Sequence, residues 1–364
     1  MNRPRPNDHE DLEMSSTTVT PASTARRDEN ARDLRIAVVG AGMMGADHIN
    51  RITNRIRGAA VVAVVEPDEG RAAAGVAAAP GSVARSRIEE AVDRDDLDAV
   101  LIATPGFLHE PVLLPALEAG LEILCEKPLT QDSESSARIL EAEQRLDRPH
   151  IQVGFMRRFD PQYRELRALV ESADLGALLG LHCVHRNPSV APSYTEAMLI
   201  TDSVVHEFDV VPWLAGSDIA SVEVKPLRRN SASTFADPAL VLLQLANGVL
   251  ADVEINVNVG FGYQVKTEAV FEQGIAEIGR TAGLTAWRDG RIATAEHMSF
   301  TTRFAAAYDE QIQRWVDAAA RGTIDGPSAW DGYRVALACE AGVAAQHTSG
   351  PVDVATAAKP DFYA

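Results

Sequence analysis

The stretch LRIAVVGAGMMGADHINRITNRIR, residues 34–57, decides the fold. Arg35 to Val39 reads as a short strand of the fully buried kind, the run Gly40-Ala41-Gly42-Met43-Met44-Gly45 as a tight turn, and the remainder as a helix. Val61 to Val65 reads as a second strand ending in Glu66, and the Ala-rich stretch Arg71 to Ala79 is helix-prone. Strand, glycine turn, helix and strand make a βαβ unit.

The glycines of that turn have separate physical tasks. Gly40 permits the tight turn, Gly42 lets backbone N–H groups approach a pyrophosphate, and Gly45 lets the helix lie close to the strand. A lone pattern of this kind is weak evidence. Here it follows a strand, opens a helix and precedes an acid at the end of a second strand, which together predict dinucleotide binding. Gly40, Gly42, Met43, Met44 and Gly45 are then the phosphate-side contacts. Glu66 accepts hydrogen bonds from ribose hydroxyls and repels a 2′-phosphate, which favours NAD over NADP.

Downstream the alternation continues: helices Arg87–Arg94, Leu108–Ala119 and Glu134–Arg145 separate strands Ala99–Ala103, Glu122–Cys125 and His150–Phe155. This is a doubly wound α/β domain over residues 34–155. Thr104 and the pair Glu126-Lys127 follow strands directly, on the carboxyl edge where such sheets bind ligands, so all three are candidate cofactor contacts. Taken alone, Glu126 beside Lys127 also reads as an ion pair. After Arg158 the pattern changes. Helix Pro161–Ser172, strand Leu178–His185, a hairpin turning at Asn247-Gly248 and a second pair, Val265–Phe271 with Ile275–Ile278, predict an α+β domain over residues 156–364 on an open, mostly antiparallel sheet. Helices are expected over Phe304–Ala320 and Ser328–Gln346, the latter with Asp331 three residues after a capping Ser328.

Between these lies TDSVVHEFDVVPW, residues 201–213. As an α-helix it gathers Asp202, His206 and Asp209 on one stripe and Val204, Phe208 and Val211 on the other. By itself that stripe also fits a solvated helix face.

Composition narrows the function. A formal charge of −18 argues against nucleic acid or an anionic membrane as partner, since both need clustered cations. Three widely spaced cysteines indicate neither a disulfide framework nor a zinc site, and a reducing cytoplasm is the expected location. His182 and His185, three apart on a strand, point to opposite faces, so no metal site is expected. Residues 1–33 are too polar to offset the entropy of ordering and read as a disordered tail.

GAGMMG, the acid after the second strand, EKPL at 126–129, VGFMRRFD at 153–160 and DSVVHEFD at 202–209 resemble, in order and spacing, the glucose–fructose oxidoreductase, inositol dehydrogenase and MocA family. HCVHRNPSV at 182–190 and the GYQVKTE strand are similar to its inositol dehydrogenase branch. The resemblance implies an NAD-dependent enzyme with Lys127, Asp202 and His206 as catalytic residues. It implies Arg157, His185, Asn187, Asp209 and Tyr263 as contacts to a small polyol. The expected reaction is oxidation of the C2 hydroxyl of myo-inositol in inositol catabolism. Another cyclitol or a pyranose is the alternative substrate, and a nicotinamide-bound sensor without turnover is the alternative of a different class. In such a mechanism His206 is the base, Asp202 orients its imidazole, and Lys127 stabilises the alkoxide. Pairing into dimers or tetramers through the second sheet is also implied. Glu66 stands where members of that branch often carry Asp, which keeps the charge and changes its reach.

Overall fold

The computed structural model describes residues 32–280 and 285–364. The segment expected to be disordered lies, up to residue 31, outside the described residues. The first sheet contains β1 (Leu34–Val39), β2 (Ala59–Val65), β3 (Val83–Arg85), β4 (Ala99–Ile102), β5 (Glu122–Glu126) and β6 (Ile151–Gly154) in the order β3-β2-β1-β4-β5-β6, and all of them are parallel. Its crossovers are α1 (Met43–Asn54), α2 (Glu69–Ala78), α3 (Glu89–Val92), α4 (His109–Glu118) and α5 (Ser133–Glu143). A parallel sheet is covered on both faces, which explains why its strands are uninterrupted apolar runs.

Alternate residues of β1 enter different cores. Ala37 and Val39 join the core that contains Leu113 and Leu117 of α4 and Ile139 and Leu140 of α5. Ile36 and Val38 pack with Ile49 and Ile52 of α1, and this second core is completed from far along the chain by Ile312, Trp315, Val316 and Ala319.

After α6 (Pro161–Ser172), the second sheet is built from β7 (Leu178–Arg186), β8 (Ile219–Pro226), β9 (Ala239–Leu245), β10 (Leu250–Asn256), β11 (Gln264–Phe271) and β12 (Gly274–Ile278), with α7 (Val205–Ala215) between β7 and β8. The order is β12-β11-β7-β10-β9-β8-β15, where β15 is Val352–Asp353. Every pairing is antiparallel except β7 with β10. A separate hairpin joins β13 (Thr285–Arg288) to β14 (Arg291–Thr294). The chain continues through α8 (Phe300–Arg303), α9 (Ala305–Ala319), whose apolar face is the one that closes the first sheet, and α10 (Ala329–Ala345). Ser328 and Asp331 form the expected capping box at the start of α10. No helix among the described residues is long and apolar enough to cross a membrane.

The expected single α-helix over 201–213 is corrected. Leu199–Val204 is a π-helical turn, and α7 begins only at Val205. A π turn inserts an extra residue into the helical ladder and rotates what precedes it. Asp202 and His206 are therefore not spaced as on a regular α-helix. The polar stripe is not solvated as a whole either, since His206 and Asp209 are buried while Asp202 is exposed.

Candidate active site

Two adjoining hollows lie at the carboxyl edge of the first sheet. One, a cleft of about 590 Å³, is lined by Gly40, Gly42, Glu66, Arg71, Thr104 and Pro105, among others. Gly40 has φ +89°, and a Cβ on Gly45 would lie 1.8 Å from the Gly40 carbonyl oxygen, so the start of α1 can approach β1 only without a side chain there. A Cβ on Gly42 would meet nothing within 4 Å. That leaves the backbone open to the cleft, at a helix N-terminus that no side chain caps. Unsatisfied N–H groups and the helix dipole suit a pyrophosphate. The Glu66 carboxylate accepts from Ala41 N at 2.9 Å, from Asp68 N at 3.0 Å and from Arg71 Nη2 at 2.7 Å. Burial works to raise its pKa, and these donors outweigh it, so the group stays anionic. Thr104 Oγ1 is buried with no partner among the described residues, as expected of a hydroxyl whose partner belongs to a ligand. These features fit a dinucleotide.

The second hollow, a chamber of about 420 Å³, begins where the cleft ends. Gly42 lines the cleft, whereas Met43 and Met44 line the chamber. Glu126 and Lys127 reach the chamber from the end of β5, His185 and Asn187 from the end of β7, Asp202 and Ser203 from the π turn, His206 from α7, and Tyr263 from the approach to β11. Lys127 Nζ lies 2.9 Å from Asp202 Oδ1 and 3.1 Å from the Asp202 carbonyl oxygen. The lysine charge holds the Asp202 carboxyl below the usual range although burial opposes this. Burial, reinforced by the positive charges of Arg157 and Lys127, holds the His206 imidazole well below its ordinary pKa. His206 is thus neutral at pH 7 and able to accept a proton. Its ring centroid lies 6.2 Å from that of His185, which is 6.0 Å from that of Tyr263.

Three expectations are corrected here. Asp202 bonds to Lys127, and His206 Nδ1 is buried without a hydrogen-bond partner among the described residues, so Asp202 does not orient the imidazole. Asp209 does not line the chamber. It accepts from Arg158 at 2.5 and 3.1 Å, because its position on α7 turns it toward Asp331 at the start of α10. Arg157 is also withdrawn, being fully buried, paired with Glu207 and within 3.2 Å of His185 Nδ1.

The structure also adds residues that sequence reasoning missed. Ser203, Met156, Phe300 and Tyr308 line the chamber. His48 Nε2 lies 2.8 Å from Glu126 Oε1 and thereby fixes that carboxylate. None of these positions stands out by periodicity, since each belongs to an element whose local pattern is satisfied by packing.

Residues 34–155 match the oxidoreductase family with an NAD-binding Rossmann fold known as GFO/IDH/MocA, and residues 163–277 match the C-terminal domain of the same family. An inositol 2-dehydrogenase of Corynebacterium glutamicum is 63% identical over 337 residues, which is 92% of this chain and 100% of that protein. The crystal structure of myo-inositol dehydrogenase from Lactobacillus casei in complex with NAD(H) and myo-inositol superposes with a TM-score of 0.88. Its identity is 33%, and the match covers 91% of this chain and 100% of that one. The scyllo-inositol dehydrogenase of Lactobacillus casei with bound NAD(H) and scyllo-inositol gives a TM-score of 0.83 at 25% identity, covering 89% and 100%. With both regions matched and a nearly full-length relative at this identity, the chain belongs to the GFO/IDH/MocA family of NAD-dependent oxidoreductases.

Proposed function

We propose that this oxidoreductase removes the C2 hydrogen of myo-inositol as hydride and leaves the 2-ketone. Bound NAD supplies the hydride acceptor. The observation that carries the reading is the convergence of Lys127, Asp202 and His206 on one chamber at the end of the dinucleotide cleft. His206, neutral and buried, takes the hydroxyl proton as the C–H bond breaks. Lys127, held by Asp202, presents its ammonium to the oxygen and stabilises the charge that develops there. His185, Asn187 and Tyr263 offer donors and acceptors to the other ring hydroxyls, so discrimination among substrates is polar. A sensor without turnover would have no use for a buried neutral base beside a paired lysine. We further propose that the outer face of the second sheet, which exposes Leu250 and Ile275, pairs copies of the chain into dimers or tetramers.

The test follows NADH formation with myo-inositol, scyllo-inositol, D-chiro-inositol and glucose. The expected kcat/KM for myo-inositol exceeds each of the others by at least about tenfold, the discrimination that a few polar contacts provide. A preference for scyllo-inositol or glucose overturns the substrate and leaves the base in place. His206→Ala should lower kcat by at least about a hundredfold while NADH still binds. Because the folded imidazole titrates below its ordinary value, kcat/KM should hold as pH falls toward about 6.5 and decline only beneath it. An acid limb centred above about pH 7 contradicts the assignment of His206 as base.

A further inference from the structure

A second carboxylate–imidazole pair lies under the chamber, and the reaction as derived does not use it. His185 is 3% exposed. Its Nδ1 is 3.1 Å from Glu207 Oε2 and 3.2 Å from Arg157 Nη2, while Arg157 Nη1 bonds to Glu207 Oε1. Glu207 and Arg157 are each 1% exposed, so neither has solvent to turn to. A guanidinium only donates and a carboxylate only accepts, so the proton at Nδ1 must suit one neighbour or the other. Arg157 Nη1 keeps the other Glu207 oxygen as an acceptor, and the guanidinium also bonds to the Tyr263 side chain. Glu207 Oε2 has only the imidazole among the described residues. Burial favours the neutral acid, but the charge of Arg157 outweighs it and keeps Glu207 anionic. A buried carboxylate oxygen facing a bare nitrogen lone pair would lose its hydrogen bond and be repelled as well.

We infer that Glu207, braced by Arg157, is a positioning residue that holds His185 as the Nδ1–H tautomer, which leaves Nε2 as an obligate acceptor for a substrate hydroxyl other than the one oxidised. Nδ1 is turned toward Glu207, and Nε2, across the ring, is the nitrogen left for the chamber that His185 lines. This division of labour suits a ligand with several hydroxyls. His206 takes the proton of the oxidised hydroxyl and releases it before the next turnover, whereas His185 only accepts a hydrogen bond and keeps the ring in register. Glu207 acts only through His185, and its neighbour in sequence, His206, acts directly. The inference rests on the polyol reading above for the identity of the hydroxyl donor, but the tautomer does not depend on it.

Two measurements on the full-length protein test it. In protein labelled with ¹⁵N-histidine, the His185 resonances, assigned by their disappearance in His185→Asn, should show a protonated Nδ1 and a bare Nε2. In Glu207→Gln, Arg157 keeps the amide oxygen, the amide NH₂ faces Nδ1, and the proton should move to Nε2. In kinetics, Glu207→Gln and His185→Asn should each raise KM for myo-inositol by at least about tenfold and by more than they lower kcat. His185→Asn retains a donor to Glu207 and loses the atom at Nε2. His185→Gln, whose amide reaches the Nε2 position, should recover most of the loss. An Nε2–H tautomer in the unaltered protein overturns the inference, whatever the substrate. So does a shifted tautomer in Glu207→Gln with KM within about twofold of the original. If Glu207→Gln does not fold, the tautomer of the unaltered protein and the Asn and Gln pair at 185 still separate the two outcomes. If myo-inositol is not the substrate, the same comparison is run with the preferred polyol, so failure of the substrate reading is separable from failure of this one.

Discussion

Arg157 and Arg158 are neighbours in sequence and each reaches a carboxylate of α7, yet the two pairs end in different places. Arg157 binds Glu207, and the pair continues to His185 at the chamber. Arg158 binds Asp209, and that pair continues to Asp331 at 3.0 Å, the residue that also closes the capping box of α10. The side chains are of the same types and similarly buried. What separates them is helical geometry, because two residues along an α-helix are about 200° apart and so face nearly opposite sides. Chemistry of one kind thus ends at a residue that lines the chamber on one side of α7 and at the start of a helix on the other. An ion pair near a chamber is not evidence of a role in binding until its far end has been traced.

The largest effect is expected at Arg157. Arg157→Met leaves the buried Glu207 carboxylate without its cation and should cost about 3–5 kcal/mol of stability, together with a rise in KM because the Glu207–His185 pair loses its brace. Urea unfolding and steady-state kinetics check both. A similar rise in KM from Arg158→Met would erase the distinction between the two sides.

A smaller effect is expected at Asp209. Asp209→Asn leaves Arg158 with Asp331 as a partner and should lower stability by about 1–3 kcal/mol, with KM for myo-inositol within about twofold. A tenfold rise in KM without loss of melting temperature would return Asp209 to the chamber. The smallest change concerns the far end of the Arg158 pair. Ser328→Ala removes the hydroxyl of the capping box and should cost about 1 kcal/mol in thermal unfolding with no change in KM or kcat. A kinetic effect there would mean that the start of α10 communicates with the chamber.

Much of the cofactor side was legible because it is local. The glycine turn, the acid after β2 and the strand-end positions of Thr104 and Lys127 follow from short runs whose periodicity and backbone needs are written in adjacent residues. Val83–Arg85 was missed as a strand because three residues carry no period, and Ile219–Pro226 because its outward positions mix charge with small residues. The hairpin of Thr285–Arg288 and Arg291–Thr294 exposes both Trp287 and Ile292, so no buried face announced it. The resemblance to a family placed Arg157 and Asp209 among the substrate contacts, and local reading could not correct it. The direction in which each side chain turns depends on the π turn before α7 and on partners up to 173 residues away.

By itself, then, the sequence determined the doubly wound first sheet and the placement of the dinucleotide turn, because these depend on local backbone preference and on apolar period, while the polyol contacts were implied only by the resemblance to a family. Only the tertiary structure decided that α9 closes the first sheet, that Asp202 serves Lys127 rather than His206, and that of two adjacent arginines one supports the chamber and the other a helix end. Those outcomes depend on which distant groups share a buried space, where an unpaired charge is costly and each polar atom must find its partner across the fold.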